Sequence, residues 1–251
     1  MRLFTVLLIV FLISITFFAE KSFASEKANK QLVTIDFNKK YQEIDNFGAS
    51  GSWSIDEIGE EWSQENRKKI ADLLFSKEKG IGLSAWRFHI GAGSEQSDKN
   101  IIKDRFRRAE TFKPGKEEPY NWNKMEGQQW FLKAAVKRGV KDLIAIAYSP
   151  PFWMTKNGHT QPNKSVGTTN IEKEKIDNFA RYLGDIIKHF NDQENIKFDY
   201  LSPVNEPYWD WNRDNQEGNR YAIKDMKKLI KELHKRFEKY DLDTEILVTE
   251  A

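Results

Sequence analysis

Short apolar runs alternate with longer amphipathic segments along most of the chain. The apolar runs are typical of parallel strands that are covered on both faces. They predict five strands, Glu43–Ala49, Ser84–Ile90, Asp142–Tyr148, Phe198–Asn205 and Glu245–Glu250. The amphipathic segments carry apolar residues at spacings of three and four, which indicates helices. The predicted helices are Glu65–Lys77, Met125–Arg138, Ile171–Phe190 and Tyr221–Lys239.

The order of these elements predicts one α/β domain, because strand and helix alternate without a long linker. A doubly wound sheet and a (β/α)8 barrel both fit that order. The segment Gly91–Gln96 begins like a dinucleotide-binding turn but has Gln at the third glycine position. Long aromatic-rich segments follow several strands, as at the active face of a barrel. We therefore predict a (β/α)8 barrel, with the extended segment Leu32–Phe37 in a separate small sheet.

The N-terminal residues have the pattern of a secretory signal peptide. Arg2 precedes the apolar run Leu3–Phe18, and small residues stand at Ser22 and Ala24. The run is shorter than the roughly 18 to 20 apolar residues that a membrane-spanning helix needs. We expect a signal peptide at residues 1–24, a linker and side-domain strand at 25–42, and the partial barrel at 43–251. The mature protein is then exported and has no membrane partner.

Composition excludes several classes of function. Lys plus Arg number 40 and Asp plus Glu 38, so the net charge of +2 does not predict a nucleic-acid partner. The chain has no cysteine, which excludes disulfides, thiol nucleophiles and cysteine-based zinc sites. The four histidines have no metal-ligand spacing. We expect a monomer that uses no metal or organic cofactor.

The most specific chemical signal is Asn205-Glu206-Pro207, which directly follows a predicted strand. A glutamate buried between proline and aromatic residues is costly to desolvate unless it is used. Such burial favours the protonated carboxyl that a general acid needs. Asn205 offers a donor and an acceptor for a sugar hydroxyl. The alternative is a structural ion pair between Glu206 and a residue such as Arg87.

Aromatic residues near the strand ends suggest a saccharide platform. Two prolines precede Trp153 and stiffen the chain there. Trp209 and Trp211 alternate with polar residues, which predicts that both are exposed. Arg87 lies inside an apolar strand, so we expect it to pair with a carboxylate at a neighbouring strand end. His89 is predicted to be a satisfied core residue rather than a ligand.

Four motifs stand in order along the chain: Phe47–Trp53, Trp86–Ser94, Ser149–Gly158 and Ser202–Pro207. Together they resemble glycoside hydrolase family 30, and most closely its endo-β-1,6-galactanase-like branch. In that branch Gln216-Glu217-Gly218 also has a counterpart. The resemblance extends from about Val33 to Ala251.

The resemblance implies a (β/α)8 barrel with a small β domain, to which Leu32–Phe37 contributes. It also implies retaining hydrolysis of a β-linked polysaccharide, β-1,6-galactan or a related glycan, with Glu206 as acid/base. The residues expected to bind substrate are Trp53, Arg87, Trp153, Asn205, Tyr208, Trp209 and Glu250. A secreted carbohydrate-binding protein without catalysis and an inactive fragment are the alternatives.

The nucleophile of this family stands at the end of the seventh barrel strand, whereas the predicted strands number five. A complete barrel typically needs about 250 residues. We therefore expect the 251 residues to be the N-terminal part of a longer enzyme. Glu250, at the end of the fifth predicted strand, is a second candidate nucleophile, although the resemblance makes it a residue that lines the site.

Overall fold

The computed structural model describes residues 32–162, 169–211 and 215–248. The predicted signal peptide and Glu250 lie outside these ranges. The chain divides into two units, Met1–Glu43 and Ile44–Ala251. The second unit contains strands β1 (Gly48–Ser50), β2 (Ala85–Ile90), β3 (Asp142–Ala147), β4 (Tyr200–Ser202) and β5 (Glu245–Ile246). Its helices are α1 (Ser54–Glu61), α2 (Gln64–Phe75), α3 (Ser94–Ser97), α4 (Glu126–Lys137), α5 (Ile176–Glu194) and α6 (Ile223–Tyr240).

The five strands form one parallel sheet in the order β1-β2-β3-β4-β5. The longest pairing joins β2 to β3, from Ala85 opposite Asp142 to Ile90 opposite Ala147. Each new strand is added on the same side, whereas a doubly wound sheet reverses direction at its switch point. Successive strands of a (β/α)8 barrel follow this order. The predicted α/β barrel topology is confirmed for these five strands.

The middle of the sheet is covered on both faces, as the apolar runs predict. On one face of β2, Trp86 packs edge-on against Phe75 of α2 with ring centroids 4.9 Å apart. Phe88, two residues later, packs against Phe190 of α5 at 5.3 Å. Because side chains alternate along a strand, Arg87 and His89 project from the opposite face. One face of β2 therefore builds the core, and the other carries polar groups towards the strand ends.

The two long helices bury the apolar positions that their periodicity predicts. In α5 these include Phe179, Leu183 and Phe190, and in α6 they include Leu229 and Leu233. Most lysines of α6 lie on its exposed face. The predicted helices are confirmed, with ends shifted by one to five residues.

Several elements differ from the expectation. Strands β4 and β5 cover only Tyr200–Ser202 and Glu245–Ile246, whereas Phe198–Asn205 and Glu245–Glu250 were predicted. The first strand covers only Gly48–Ser50. The residues before it are exposed, although the Phe47 carbonyl accepts the backbone amides of Ser84 and Ala85. Helix α1 was not predicted, since Ile55 and Ile58 are the only large apolar residues in its eight positions. It packs on α4 through glycines: a Cβ on Gly127 would lie 1.7 Å from the Asp56 carbonyl oxygen.

The first unit is described from residue 32 onwards. It contains a turn in which the amide of Asn38 donates to Asp36 Oδ1 at 3.0 Å. Leu32–Phe37 pairs with no strand among the described residues, and its place in a side-domain sheet stays a prediction. None of the helices in the described ranges is both long enough and apolar enough to cross a bilayer.

Candidate active site

The carboxyl ends of the parallel strands lie at one edge of the sheet, and several predicted site residues lie there. Arg87 donates from Nε to Ser50 Oγ at 3.1 Å and from Nη2 to the Tyr148 hydroxyl at 3.4 Å. These contacts join the ends of β1, β2 and β3. The carboxylate partner expected for Arg87 stays a prediction. Tyr148 was not predicted as a site residue, although its position after an apolar strand could have indicated one.

Trp53 lies beside this group and is buried. Its ring is 4.7 Å from that of Tyr148 and makes an edge contact with His89 at 5.4 Å. Its indole Nε1 is buried and has no hydrogen-bond partner among the described residues. Trp53 is therefore a wall of the strand-end region, and its role in substrate binding stays a prediction.

Glu217 is a fully buried carboxylate in this region, and it was assigned no role from the sequence. Its side chain has no exposed surface, and its Oε2 lies 3.2 Å from His89 Nε2. It also accepts hydrogen bonds from the backbone amides of Ala92 and Ser94. His89 is fully buried, as expected of a core residue, but its Nδ1 has no partner in the described part of the chain. The sequence signal for Glu217 was the motif Gln216-Glu217-Gly218, which has a counterpart in the galactanase-like branch.

Glu206 follows β4 at the same edge, but the prediction that it is buried is wrong. The residue is exposed and lies in the loop that follows β4, the strand next to the last one of the described sheet. Its backbone is left-handed, with φ of 40°. A non-glycine residue in this region is uncommon and indicates a constraint from its surroundings.

The neighbours of Glu206 form a small hollow with an aromatic rim. Asn205 is buried, and its Nδ2 lies 3.5 Å from Glu206 Oε2. Tyr208 and Trp209 are 59% and 56% exposed, so the predicted exposure of Trp209 is confirmed. The hollow has a volume of about 240 Å³ and is lined by Glu206, Pro207, Tyr208 and Trp209.

The prediction that Trp211 is exposed is wrong, because its side chain is only 1% exposed. Its ring lies directly on the α-carbon of Gly218: a Cβ there would be 2.2 Å from Trp211 Cδ2. The alternation of polar and aromatic residues suggested exposure, but it could not show that the loop folds back over this ring.

Trp153 lines a different cleft. Its ring is half-buried, and its Nε1 donates to the Lys113 carbonyl at 2.8 Å, so the indole is held in place as the two prolines suggested. The cleft around it has a volume of about 330 Å³ and includes Tyr120, Arg181 and Asp185. It shares no lining residue with the hollow at Glu206. A single platform that contains both Trp153 and Trp209 is not formed by the described residues.

An acidic cleft of about 260 Å³ is lined by Trp53, by residues of α1 and by residues of the segment between β2 and α4. Burial raises the pKa of the Asp56 carboxyl from 3.8 to about 6, although the Gln128 amide that donates to it at 2.9 Å has the opposite effect. The neighbouring charges of Glu110 and Glu60 raise this pKa further. No three His, Asp or Glu residues of the described ranges are grouped as a metal ion requires.

Comparison with known proteins gives one family. A model described as O-Glycosyl hydrolase family 30 matches residues 30–251. The chain is 25% identical over 221 residues to an endo-beta-1,6-galactanase from Hypocrea rufa. That alignment covers 79% of this chain and 44% of the relative.

The solved structures that are similar to this chain include a protein described as a member of the same family. A conserved exported protein from Bacteroides fragilis matches with a TM-score of 0.79 and 37% identity, over 86% of this chain and 45% of that chain. The catalytic domain of GH30 xylanase C from Talaromyces cellulolyticus matches with a TM-score of 0.64 and 25% identity, over 85% of this chain and 48% of that chain. The chain thus spans less than half the length of these relatives.

Proposed function

The chain belongs to O-glycosyl hydrolase family 30, and from this membership we propose that it hydrolyses β-glycosidic bonds in a polysaccharide with Glu206 as the general acid/base. The substrate class is a β-1,6-linked galactan or a related glycan, in keeping with the similarity to an endo-beta-1,6-galactanase. The observation that carries the proposal is the position of Glu206 at the carboxyl end of β4, in a hollow with two exposed aromatic rings.

The geometry of this hollow suits a general acid. The carboxyl of Glu206 is accessible to a glycosidic oxygen, and Tyr208 and Trp209 offer apolar faces to the C–H face of a sugar ring. Asn205 is held beside the carboxyl and can bind the 2-hydroxyl of the sugar at the cleaved bond. Arg87 adds positive charge near the carboxyl ends of the strands. Trp53, which is also proposed to bind substrate, lies in the same region.

The reaction has two steps in a retaining enzyme. Glu206 donates its proton to the departing oxygen while a second carboxylate attacks the anomeric carbon. Glu206 then removes a proton from the water that releases the sugar. The second carboxylate has to lie about 5 to 5.5 Å from Glu206. The candidate Glu250 lies outside the described residues, and the family resemblance implies a nucleophile on a later strand.

Export completes the proposed function. The signal-peptide pattern at residues 1–24 supports it, as does the similarity to a protein described as exported. We expect the mature chain to begin at Ser25. Mass spectrometry of the protein collected outside the cells checks this, and an intact Met1 there would contradict cleavage.

Substitution of Glu206 tests the catalytic role. In the complete product of the gene, Glu206→Gln should lower release of reducing sugar from β-1,6-galactan by about 10²-fold to 10⁴-fold, the usual contribution of a general acid/base. Binding of the polysaccharide, measured by calorimetry, should persist because the aromatic rim is intact.

The control is Glu238→Gln, which neutralises an exposed glutamate on the outer face of α6. It should leave activity unchanged. Equal activity of Glu206→Gln and the unaltered enzyme would refute the assignment. Polysaccharide binding without hydrolysis by the unaltered protein would favour a carbohydrate-binding protein instead. An initial product of inverted configuration, seen by proton NMR, would refute the two-step route.

A further inference from the structure

The loop after β4 contains a chain of contacts that ends at the backbone of Glu206. The Glu206 carbonyl accepts two hydrogen bonds, from the Trp209 amide at 3.0 Å and from Trp211 Nε1 at 3.1 Å. These two donors fix the peptide group that follows Glu206. A residue with a side chain rarely adopts the left-handed conformation seen here unless its surroundings impose it. The indole of Trp211 is therefore one of the groups that impose it.

Trp211 is held in turn by Gly218. The indole packs on the bare α-carbon of this glycine, and any side chain there would overlap the ring. The Gly218 amide donates to the Thr160 carbonyl at 3.1 Å, which connects this point to the loop after β3. The indole is almost fully buried as a result. Its position therefore depends on where the backbone of Gly218 lies.

The adjacent residue, Glu217, fixes that backbone. Its carboxylate is fully buried and receives the amides of Ala92 and Ser94 at 3.1 to 3.2 Å. His89 Nε2 lies 3.2 Å from it and completes the set of donors when Nε2 carries the hydrogen. A buried carboxylate is stable only with such partners, so Glu217 has one favourable place. It ties the loop after β4 to the loop after β2.

From these contacts we infer that Glu217, Gly218 and Trp211 are positioning residues that set the direction of the Glu206 side chain. The buried carboxylate of Glu217 fixes the position of Gly218, and Gly218 fixes the position of the Trp211 indole. The indole then binds the Glu206 carbonyl and so holds the backbone of Glu206 in its left-handed conformation. Release of any member lets Glu206 return to a common backbone conformation, which turns its carboxyl away. The catalytic meaning of this device rests on the proposed function, whereas its mechanical meaning does not.

Hydrogen exchange of the mature protein tests the mechanical part and needs no measurement of activity. Trp211→Phe keeps a ring but removes the donor, Gly218→Ala displaces the ring, and Glu217→Ala removes the anchor. In each variant the amide of Trp209 should exchange faster by on the order of tenfold, while amides of β2 and β3 keep their protection. Glu217→Gln, which keeps one acceptor oxygen, should restore part of the protection.

The matched control is Gln216→Ala, which removes only a side-chain contact with Arg107 in the same loop. It should leave exchange at Trp209 unchanged. Unchanged exchange at Trp209 in Trp211→Phe and Glu217→Ala would overturn the inference. Equal loss of protection in β2 and β3 would also overturn it, because the three residues would then be ordinary contributors to stability.

Kinetics of the complete gene product test the catalytic part. A misplaced general acid slows glycosides with poor leaving groups and spares activated aryl glycosides, whose departure needs little protonation. Trp211→Phe should lower kcat on the galactan by about tenfold or more, with KM nearly unchanged. Its kcat/KM on a nitrophenyl glycoside, which reports only the first step, should stay within about threefold. Equal losses on both substrates would overturn the inference but leave the proposed function intact, whereas failure of the unaltered enzyme on both would refute the proposed function alone.

Discussion

Asp56 gives the sharpest prediction about stability. Its carboxyl lies between α1 and the start of α4, and it accepts the Gln128 amide at 2.9 Å. Burial raises its pKa from 3.8 to about 6, with a further contribution from Glu110 and Glu60. Between about pH 3.8 and pH 6, the Asp56 carboxyl therefore keeps its proton in the folded state, whereas in the unfolded state it has lost it. The uncharged carboxyl stabilises the fold below about pH 3.8, and this stability is lost as the pH rises through about 6.

The magnitude follows from the shift. About two pKa units correspond to about 3 kcal/mol between the two protonation states, and this value is an upper estimate because the residue is half-buried. Asp56→Asn is neutral at every pH and keeps an oxygen that can accept from Gln128. The variant should therefore be more stable than the unaltered chain by up to about 3 kcal/mol at pH 7, and the gain should vanish near pH 3.5.

Urea unfolding of the mature protein from pH 3.5 to pH 7.5, followed by tryptophan fluorescence, measures this difference. Glu61→Gln is the control, because it removes an exposed charge from the same helix and should give no comparable gain. If the unfolding free energies of Asp56→Asn and the unaltered chain run parallel over the whole range, the burial of Asp56 does not affect stability in this way.

Two other substitutions test the packing and the aromatic rim. Gly127→Ala places a Cβ against the Asp56 carbonyl and should lower the unfolding free energy by about 3 kcal/mol, measured by urea unfolding; an unchanged midpoint would contradict the close helix contact. Trp209→Ala should raise the Kd for a β-1,6-galactan oligosaccharide by about tenfold in calorimetry, whereas the exposed Trp62→Ala should not. Equal Kd values for the two tryptophan variants would show that the ring of Trp209 does not contact the glycan.

The order of strands and helices could be predicted because burial is periodic in the sequence. The runs at Ser84–Ile90 and Asp142–Tyr148 match β2 and β3 within one residue at each end. The spacing of apolar residues likewise located α5 and α6. Helix α1 was not predicted because its contact with α4 is made through glycines, which give no hydrophobic pattern in the sequence. Local periodicity thus identifies elements that bury large side chains, and misses those that approach through their backbones.

The details of the site depend on contacts between distant residues. Glu217 lies 128 positions after His89, and nothing near either residue indicates that the two meet. Trp211 has the neighbours of an exposed residue, yet the return of the loop at Gly218 buries it. The position of Glu206 after β4 could be predicted from its motif, but its exposure depends on which other elements surround it.

The residues with a left-handed backbone fall into two groups: those that stand at the end or the start of a helix, and those that do not. Five non-glycine residues in the described ranges have positive φ. Asn195 and Asp241 end α5 and α6, where a left-handed residue satisfies the last carbonyls, and Met125 precedes α4. Ser52 and Glu206 have no such role, and both follow strands at the carboxyl edge of the sheet. An unfavourable conformation persists only where its surroundings impose it. With Glu206 in its proposed role as general acid/base, the contacts that impose it there are the ones whose loss should reduce catalysis before it reduces stability.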